Sequence, residues 1–212
     1  MSRLAVLVPV LRRPERVVPL LKAFADNTPD YSLYFIPDPD DQAEIEAIHA
    51  AGGEILFVRK VNYAEKINTA VRLTDEPLIF LGADDLSPQS GWFEAASALL
   101  KDGVQVVGIN DLIKRSREHT THFLITRSYA EQPVITGEQG PLCTLYAHNC
   151  VDDELIATAQ KRGVYAYAED ACVKHLHPDT GELAWDQTYI KGRRTIREDR
   201  RLWKSRRIWH LE

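Results

Sequence analysis

Cysteine is scarce in this chain: Cys143, Cys150 and Cys172 are the only three in 212 residues. An odd number with no C-x-x-C pair excludes a disulfide framework and a zinc-finger spacing. Long apolar runs are missing too, and none approaches the roughly 18 residues that a membrane span needs. The apolar stretch near the start is short and broken at Pro9. It has no small-residue cleavage site, so it does not read as a signal peptide, and a cytoplasmic protein is expected. Glycine and proline number 11 each, far from collagen-like or low-complexity levels. There is no G-x-x-x-x-G-K-[ST] loop and no G-x-G-x-x-G after the first apolar segment, where Val8-Pro9-Val10-Leu11 stands instead. G-x-S-x-G and H-E-x-x-H are also lacking. Readings as an NTPase, a dinucleotide oxidoreductase, a serine hydrolase or a zinc protease all lose support, as does a nucleotidyltransferase with a glycine-rich first loop.

What is present suits a soluble globular domain able to bury a core, with 44% hydrophobic and 27% charged residues. The net charge of −5 hides an asymmetry: residues 191–212 hold nine Lys/Arg against three acids, and the preceding 190 residues carry −11. Such a tail either meets phosphates, of a nucleic acid or a membrane surface, or neutralises the acidic body as a terminal helix.

Apolar segments alternate with helical patterns through the first half. Leu4–Val10 reads as a strand buried on both faces, followed from Pro14 by a helix with Val17, Val18, Leu20, Leu21 and Phe24 at helical spacing. Further strands are expected at Tyr31–Ile36, Glu54–Val58, Pro77–Leu81 and Val104–Ile109. The helices between them carry Ile45 and Ile48, then Tyr63–Leu73, then Trp92–Leu100. This βα repetition predicts an α/β fold with a mostly parallel sheet flanked by helices, and ligands at the carboxyl edge of its strands. Later, Phe123–Thr126 and Val164–Val173 read as strands, Glu131–Leu142 as a loop and Asp152–Arg162 as a helix. The basic end reads as a helix bearing Ile196, Trp203 and Trp209. Without a repeat or a linker, one compact domain over 1–190 with the basic helix 191–212 packed on it or extending from it is expected.

Four local features carry chemistry. In Phe80-Leu81-Gly82-Ala83-Asp84-Asp85 two carboxylates follow a buried strand directly, a costly placement unless something cationic is there. Mg²⁺ or Mn²⁺ takes one or two such carboxylates and completes its shell with phosphate oxygens. Asp38, Asp40 and Asp41 follow the second strand, either to bind a nucleobase or ribose or to cap the next helix. Asp152, Asp153 and Glu154 open a helix, as complements to its dipole or as a general base. In an extended segment His175 and His177 share one face and could contact a metal or phosphate; a structural role is the plain alternative.

In this order the features resemble the family-2-like glycosyltransferases of the GT-A fold, and the compact chain resembles the small phage-encoded type among them, over Leu4 to about Pro178. The resemblance rests on Val6-Leu7-Val8-Pro9-Val10 with Arg13-Pro14-Glu15-Arg16, on Asn62–Ala70, and on Phe80–Asp85 with Pro88 and Trp92. It rests also on Val151-Asp152-Asp153-Glu154-Leu155 with Gly163 behind it, and on His175. The familiar Asp-x-Asp stands here as Ala83-Asp84-Asp85, and Val151 replaces the acid before Asp152. The resemblance implies a metal-dependent transferase, using Mn²⁺ or Mg²⁺, that moves a sugar from a nucleotide-diphosphate donor (a UDP-sugar favoured) to an acceptor hydroxyl with inversion. Pro9, Asp38, Lys66, Asn68 and Asp84 would face the donor, and Asp85 and His175 the metal. Asp152, or else Asp153, would be the base. His177, Arg193 and Arg194 would meet the acceptor or its phosphates. Acceptors to weigh are modified DNA, through the Arg/Trp-rich tail, and a saccharide. The competing expectation is a nucleotide- or nucleic-acid-binding module without catalysis.

Overall fold

Strand β1 (Leu4–Pro9) shows how the chain builds its sheet. Leu4 to Val8 are all buried, and successive side chains serve opposite faces. Ala5 and Leu7 join one core cluster, while Leu4, Val6 and Val8 join the other. The computed structural model describes residues 3–113, 120–134 and 140–211, with side chains through Arg206. Val10 stays buried but falls just past the strand end.

β2 (Tyr31–Ile36) and β4 (Leu78–Leu81) flank β1, both parallel to it, and β3 (Glu54–Ile55) lies parallel on β2. α1 (Val17–Asn27), entered through a 3-10 turn at Pro14–Arg16, connects β1 to β2. α2 (Gln42–Ala50) connects β2 to β3, and α3 (Tyr63–Arg72) leads into β4. β5 (Leu86–Pro88) then precedes α4 (Trp92–Ser97) and β6 (Val106–Asn110). β7 (Phe123–Thr126) inserts between β4 and β6, antiparallel to both. α5 (Arg127–Ala130), α6 (Val151–Lys161) and β8 (Tyr165–His175) follow, with β8 parallel to β6 and antiparallel to β5. The strand order is β3-β2-β1-β4-β7-β6-β8-β5. α3 and α6 cover one face, and α1 and α4, with Trp92 wholly buried, cover the other.

The long α7 (Gln187–Leu211) closes the chain and lays Leu202 and Trp203 on the α3/α6 side of the core. The side chain of Trp209, expected on this helix, lies outside the described residues, as does part of the Glu131–Leu142 loop.

The expected α/β fold is present, with local differences. β3 stops at Ile55: Leu56 N–H still donates to Phe35 O at 2.9 Å, but Phe57 beyond it is 63% exposed and adds nothing to the core. α4 ends at Ser97, after which Leu99 and Leu100 donate to carbonyls three residues back, a tightened last turn. The fourth βα unit is interrupted by β5, a three-residue edge strand ending in a proline, as edge strands tolerate.

The parallel strands β1, β2 and β4 end on one edge, so the segments after Pro9, Ile36 and Leu81 converge. Gly82 makes this approach close. Its N–H donates to Leu7 O at 2.9 Å, and a Cβ there would stand 3.1 Å from that oxygen.

Candidate functional site

The paired carboxylates after β4 separate. Asp84 takes Arg13 Nη1 at 2.8 Å and Arg16 Nη1 at 3.3 Å on one oxygen. On Asp85, Oδ2 accepts from Tyr189 O–H at 2.6 Å and faces His175 Nε2 at 3.2 Å, while Oδ1 is buried with no hydrogen-bond partner among the described residues. The β5–β8 pairing makes this meeting, since Leu86 stands opposite His175 and Leu176 N–H donates to Asp85 O at 2.7 Å. Burial and the Asp85 charge push Asp84 up to about 6 against the pull of Arg13 and Arg16. Burial works to raise Asp85 as well, but the charge and hydrogen bond of His175, with Tyr189 O–H, hold it well below the usual carboxylate range. His175 is raised in turn: burial opposes its charge, and Asp85 outweighs burial.

Among the described residues no group of three or more His, Cys, Asp or Glu is arranged to hold a metal ion. A hard divalent cation here would therefore take Asp85 and His175 from the chain and oxygens from a ligand, the habit of Mg²⁺ with phosphates. The orphaned Asp85 Oδ1 fits that role, because a buried carboxylate oxygen without a partner is costly.

A further layer orients His175. Its Nδ1 lies 3.4 Å from Thr121 Oγ1, and Thr121 O–H donates to Asp111 Oδ2 at 2.8 Å. With the Thr121 proton committed to Asp111, that oxygen accepts from His175 Nδ1–H, which leaves Nε2 turned toward Asp85. His122 packs edge-on to His175, ring centroids 5.0 Å apart, and Leu81 O lies 3.0 Å from its Nδ1. Burial and the His175 charge lower His122 to about 4, so it is neutral at physiological pH. His177 sits one ring further out, 5.3 Å from His175, and its Nδ1 accepts Asp179 N–H at 3.1 Å.

Arg13 is the hub of the cluster. Beyond Asp84, its Nε and Nη2 form a two-pronged contact with Asp186 at 2.7 and 2.9 Å, and its guanidinium lies 3.9 Å from the Tyr189 ring centroid. Arg16 adds 3.3 Å to Asp186 and 2.8 Å to Tyr189 Oη. The Arg13 backbone N–H donates at 2.6 Å to Glu44 Oε2, while Glu44 Oε1 is buried and unpartnered. Burial raises Glu44 to about 7 despite that hydrogen bond, helped by Asp41, Asp84 and Glu15.

Beside this cluster, where β1 and β2 end, Lys66 Nζ meets Asp38 Oδ1 at 2.8 Å and donates to Ile36 O at 2.9 Å. Burial lowers Lys66, and Asp38 opposes the fall. Asn68 is committed elsewhere: its amide exchanges hydrogen bonds of 2.8 and 3.1 Å with Leu142, and Gly140 leaves no room there for a Cβ. Asp152 and Asp153 stand half-buried in the first turn of α6. Tyr63, whose O–H donates to Gly82 O at 3.3 Å, is raised by burial and then by Asp152 and Asp85, so it sits within electrostatic reach of both. Glu154, the third acid, points inward instead, bonded to Tyr146 O–H at 2.5 Å and to Arg206.

α7 is pinned where it passes the α6 entry: Asp199 accepts the N–H groups of Ala147, His148 and Asn149. Arg193 pairs with Asp179 at 2.5 Å and stacks on Trp185. Lys191, Arg194, Arg197, Arg200, Arg201 and Lys204 are exposed and make no ion pair among the described residues. Four of these, with Ile196, line a shallow groove of about 370 Å³. Another hollow, about 670 Å³, lies between Phe57–Arg59 and the outer face of α3. Neither includes the Asp84–Asp85 cluster, whose surroundings are filled by the arginines, Asp186 and Tyr189.

Asp84, Asp85 and His175 thus converge, Asp38 and Lys66 form the adjoining corner, and Asp152 stands within electrostatic reach of Tyr63. Arg13, Arg16, Asp186, Tyr189 and Thr121 were not among the expected site residues. The Arg13-Pro14-Glu15-Arg16 run was a usable signal, because a buried acid pair demands nearby cations.

The strand order and the helices on both faces of the sheet give the chain a GT-A-type fold. No protein-family model and no curated sequence matches the chain. Among solved structures it is similar to a mannosyltransferase from Pyrobaculum calidifontis in complex with GDP-Man and Mn²⁺, with TM-score 0.63 and 16% identity over 82% of this chain. It is similar also to glucosyl-3-phosphoglycerate synthase from Mycobacterium tuberculosis in complex with Mn²⁺, UDP-glucose and phosphoglyceric acid, with TM-score 0.61, 12% identity and 83% coverage. The chain spans 56% of the first protein's length and 72% of the second's. At such identities the likeness is one of fold.

Proposed function

We propose that the protein is a metal-dependent glycosyltransferase that moves a sugar from a nucleoside-diphosphate donor to an acceptor hydroxyl with inversion. One observation carries the reading: a buried carboxylate with a free oxygen stands beside His175 at the carboxyl edge of a GT-A sheet. The neighbours' complexes with nucleotide sugars and Mn²⁺ or Mg²⁺ support it. Asp85 and His175 would hold the cation, and Mg²⁺ or Mn²⁺ bound there supplies positive charge to the leaving diphosphate. Pro9, Asp38 and Lys66 would line the nucleoside corner, Asp84 would serve the donor side through Arg13 and Arg16, and Asn68 would do so through the Gly140–Leu142 segment it clamps. A carboxylate oxygen of Asp152, or of Asp153 beside it, takes the acceptor hydroxyl proton as that hydroxyl attacks C1 from the face opposite the diphosphate.

For the acceptor, the exposed cations along α7 favour a polyanion, such as DNA bearing a hydroxylated base, over a neutral saccharide; Arg193 and Arg194 belong to that helix, and His177 packs 5.1 Å from its Tyr189 ring. The same cations support the second reading, a nucleic-acid-binding module without catalysis. Thermal shift against nucleoside diphosphates with Mn²⁺ separates the two, since a ligand of the native state raises its melting temperature. The transferase reading expects a Mn²⁺-dependent rise that Asp85→Ala abolishes. No rise with any nucleoside diphosphate would remove it. Binding to duplex DNA that does not weaken steeply with salt would remove the DNA acceptor.

A further inference from the structure

The two arginines after β1 are oddly employed for structural residues. Arg13 gives one nitrogen to Asp84, whose side chain is 7% exposed, and turns its whole outer edge to Asp186, whose side chain is 34% exposed. The Asp186 carboxylate sits on that edge in fork geometry, at 2.7 and 2.9 Å, with Arg16 closing on it at 3.3 Å. Two adjacent oxygens on a guanidinium fork are the pattern that a phosphate group also presents. Charge points the same way. Asp186 supplies one of the negative charges that offset Arg13 and Arg16, beside Asp84, Asp85 and Glu15, so withdrawing it shifts the surroundings of the two arginines toward positive. Arg16 Nη1 also lies 3.9 Å from Asp85 Oδ2, which puts this seat beside the candidate cation position.

From this arrangement we infer that Arg13 and Arg16 form the seat of the donor's diphosphate, and that Asp186 holds the place of a phosphate there until the donor displaces it. The inference rests on the transferase reading. Asp84, buried and permanent, orients the Arg13 fork from behind, and Tyr189 backs its face. Asp186 belongs to the segment entering α7, and its Oδ1 also accepts Tyr189 N–H at 2.9 Å, so it doubles as the cap of that helix. An asparagine at 186 keeps the cap and removes the competing charge.

The test is calorimetric binding of inorganic pyrophosphate, UDP and GDP, each with Mn²⁺, to the full chain and to three variants. Asp186→Asn is expected to bind the diphosphates about five- to tenfold more tightly, the worth of removing one partly exposed internal ion pair. Arg16→Gln is expected to weaken binding, and Arg13→Lys to weaken it although the charge is kept, because the fork is lost. A structural role alone would lower melting temperature and affinity together in Asp186→Asn and could not tighten binding. If the unmodified chain binds UDP or GDP and Asp186→Asn binds them no better, the seat is elsewhere while the transferase reading stands. If the unmodified chain binds no diphosphate at all, both fall.

Discussion

Glu44→Gln should change how stability depends on pH, and the size of the effect follows from the site. Glu44 is 0% exposed, spends Oε2 on the Arg13 N–H and leaves Oε1 with no partner. Burial raises it from an ordinary 4.5 to about 7, with Asp41, Asp84 and Glu15 adding to the rise. The native state therefore keeps a proton that the unfolded chain releases above pH 4.5. The stability tied to that proton is fully present below 4.5 and is lost as pH rises through 7. The interval corresponds to about 3 kcal/mol by pH 8. Glutamine preserves the acceptor for Arg13 N–H and cannot ionise, so the cost of its buried amide is the same at every pH. Relative to the unmodified chain, Glu44→Gln should gain about 2.5 kcal/mol between pH 5 and pH 8. For a chain of this size that is about 5–10 °C in melting temperature. Urea unfolding of both proteins at half-unit steps from pH 5 to 8 measures it. Curves that stay parallel across the range would refute the buried-acid argument.

Other residues make their own demands. Asp152→Asn should keep nucleoside-diphosphate binding and lose about 10²- to 10⁴-fold in transfer rate; turnover at the normal rate would retire Asp152 as base. Arg206→Ala strands Glu154, which is wholly buried, and should cost about 3 kcal/mol or more in guanidinium unfolding, most of it recovered by adding Glu154→Gln. Thr121→Val should weaken Mn²⁺ affinity about 10- to 100-fold by electron paramagnetic resonance, with Thr121→Ser restoring it. Equal affinities for the valine and serine variants would show that the hydroxyl does not orient His175.

Much of the framework is legible in the chain because its signals are local. An aliphatic run such as Leu4–Val8 has no use on a surface, and Tyr31–Ile36 forms over the residues that its pattern marks. The acid pair stood out because its cost is visible wherever it is buried. The geometry that gives the pair meaning is not local. His175 reaches Asp85 through a three-residue strand containing a proline, too short for any periodicity to announce. Asp186 meets Arg13 across 173 residues from a connecting segment with no pattern of its own. Within Asp152, Asp153 and Glu154, three equivalent-looking acids, helix phase turns Glu154 into the core and leaves its neighbours at the surface of the site. Likewise the tail's charge was countable, but its division between inward Asp199 and Arg206 and the outward cations depends on what α7 packs against.

The four fastenings of α7 and of the residue that caps it decide what a C-terminal deletion can teach. Cutting the chain before residue 186 would strip away the outward cations, but it would also take the hydroxyl from Asp85, unseat both arginines, free the 147–149 backbone and expose Glu154. A shortened protein that failed to bind a polyanion would therefore report a dismantled wall rather than a missing handle. Reversing Arg197, Arg200, Arg201 and Lys204 to glutamate leaves every fastening intact, and only that version isolates what the outer stripe does.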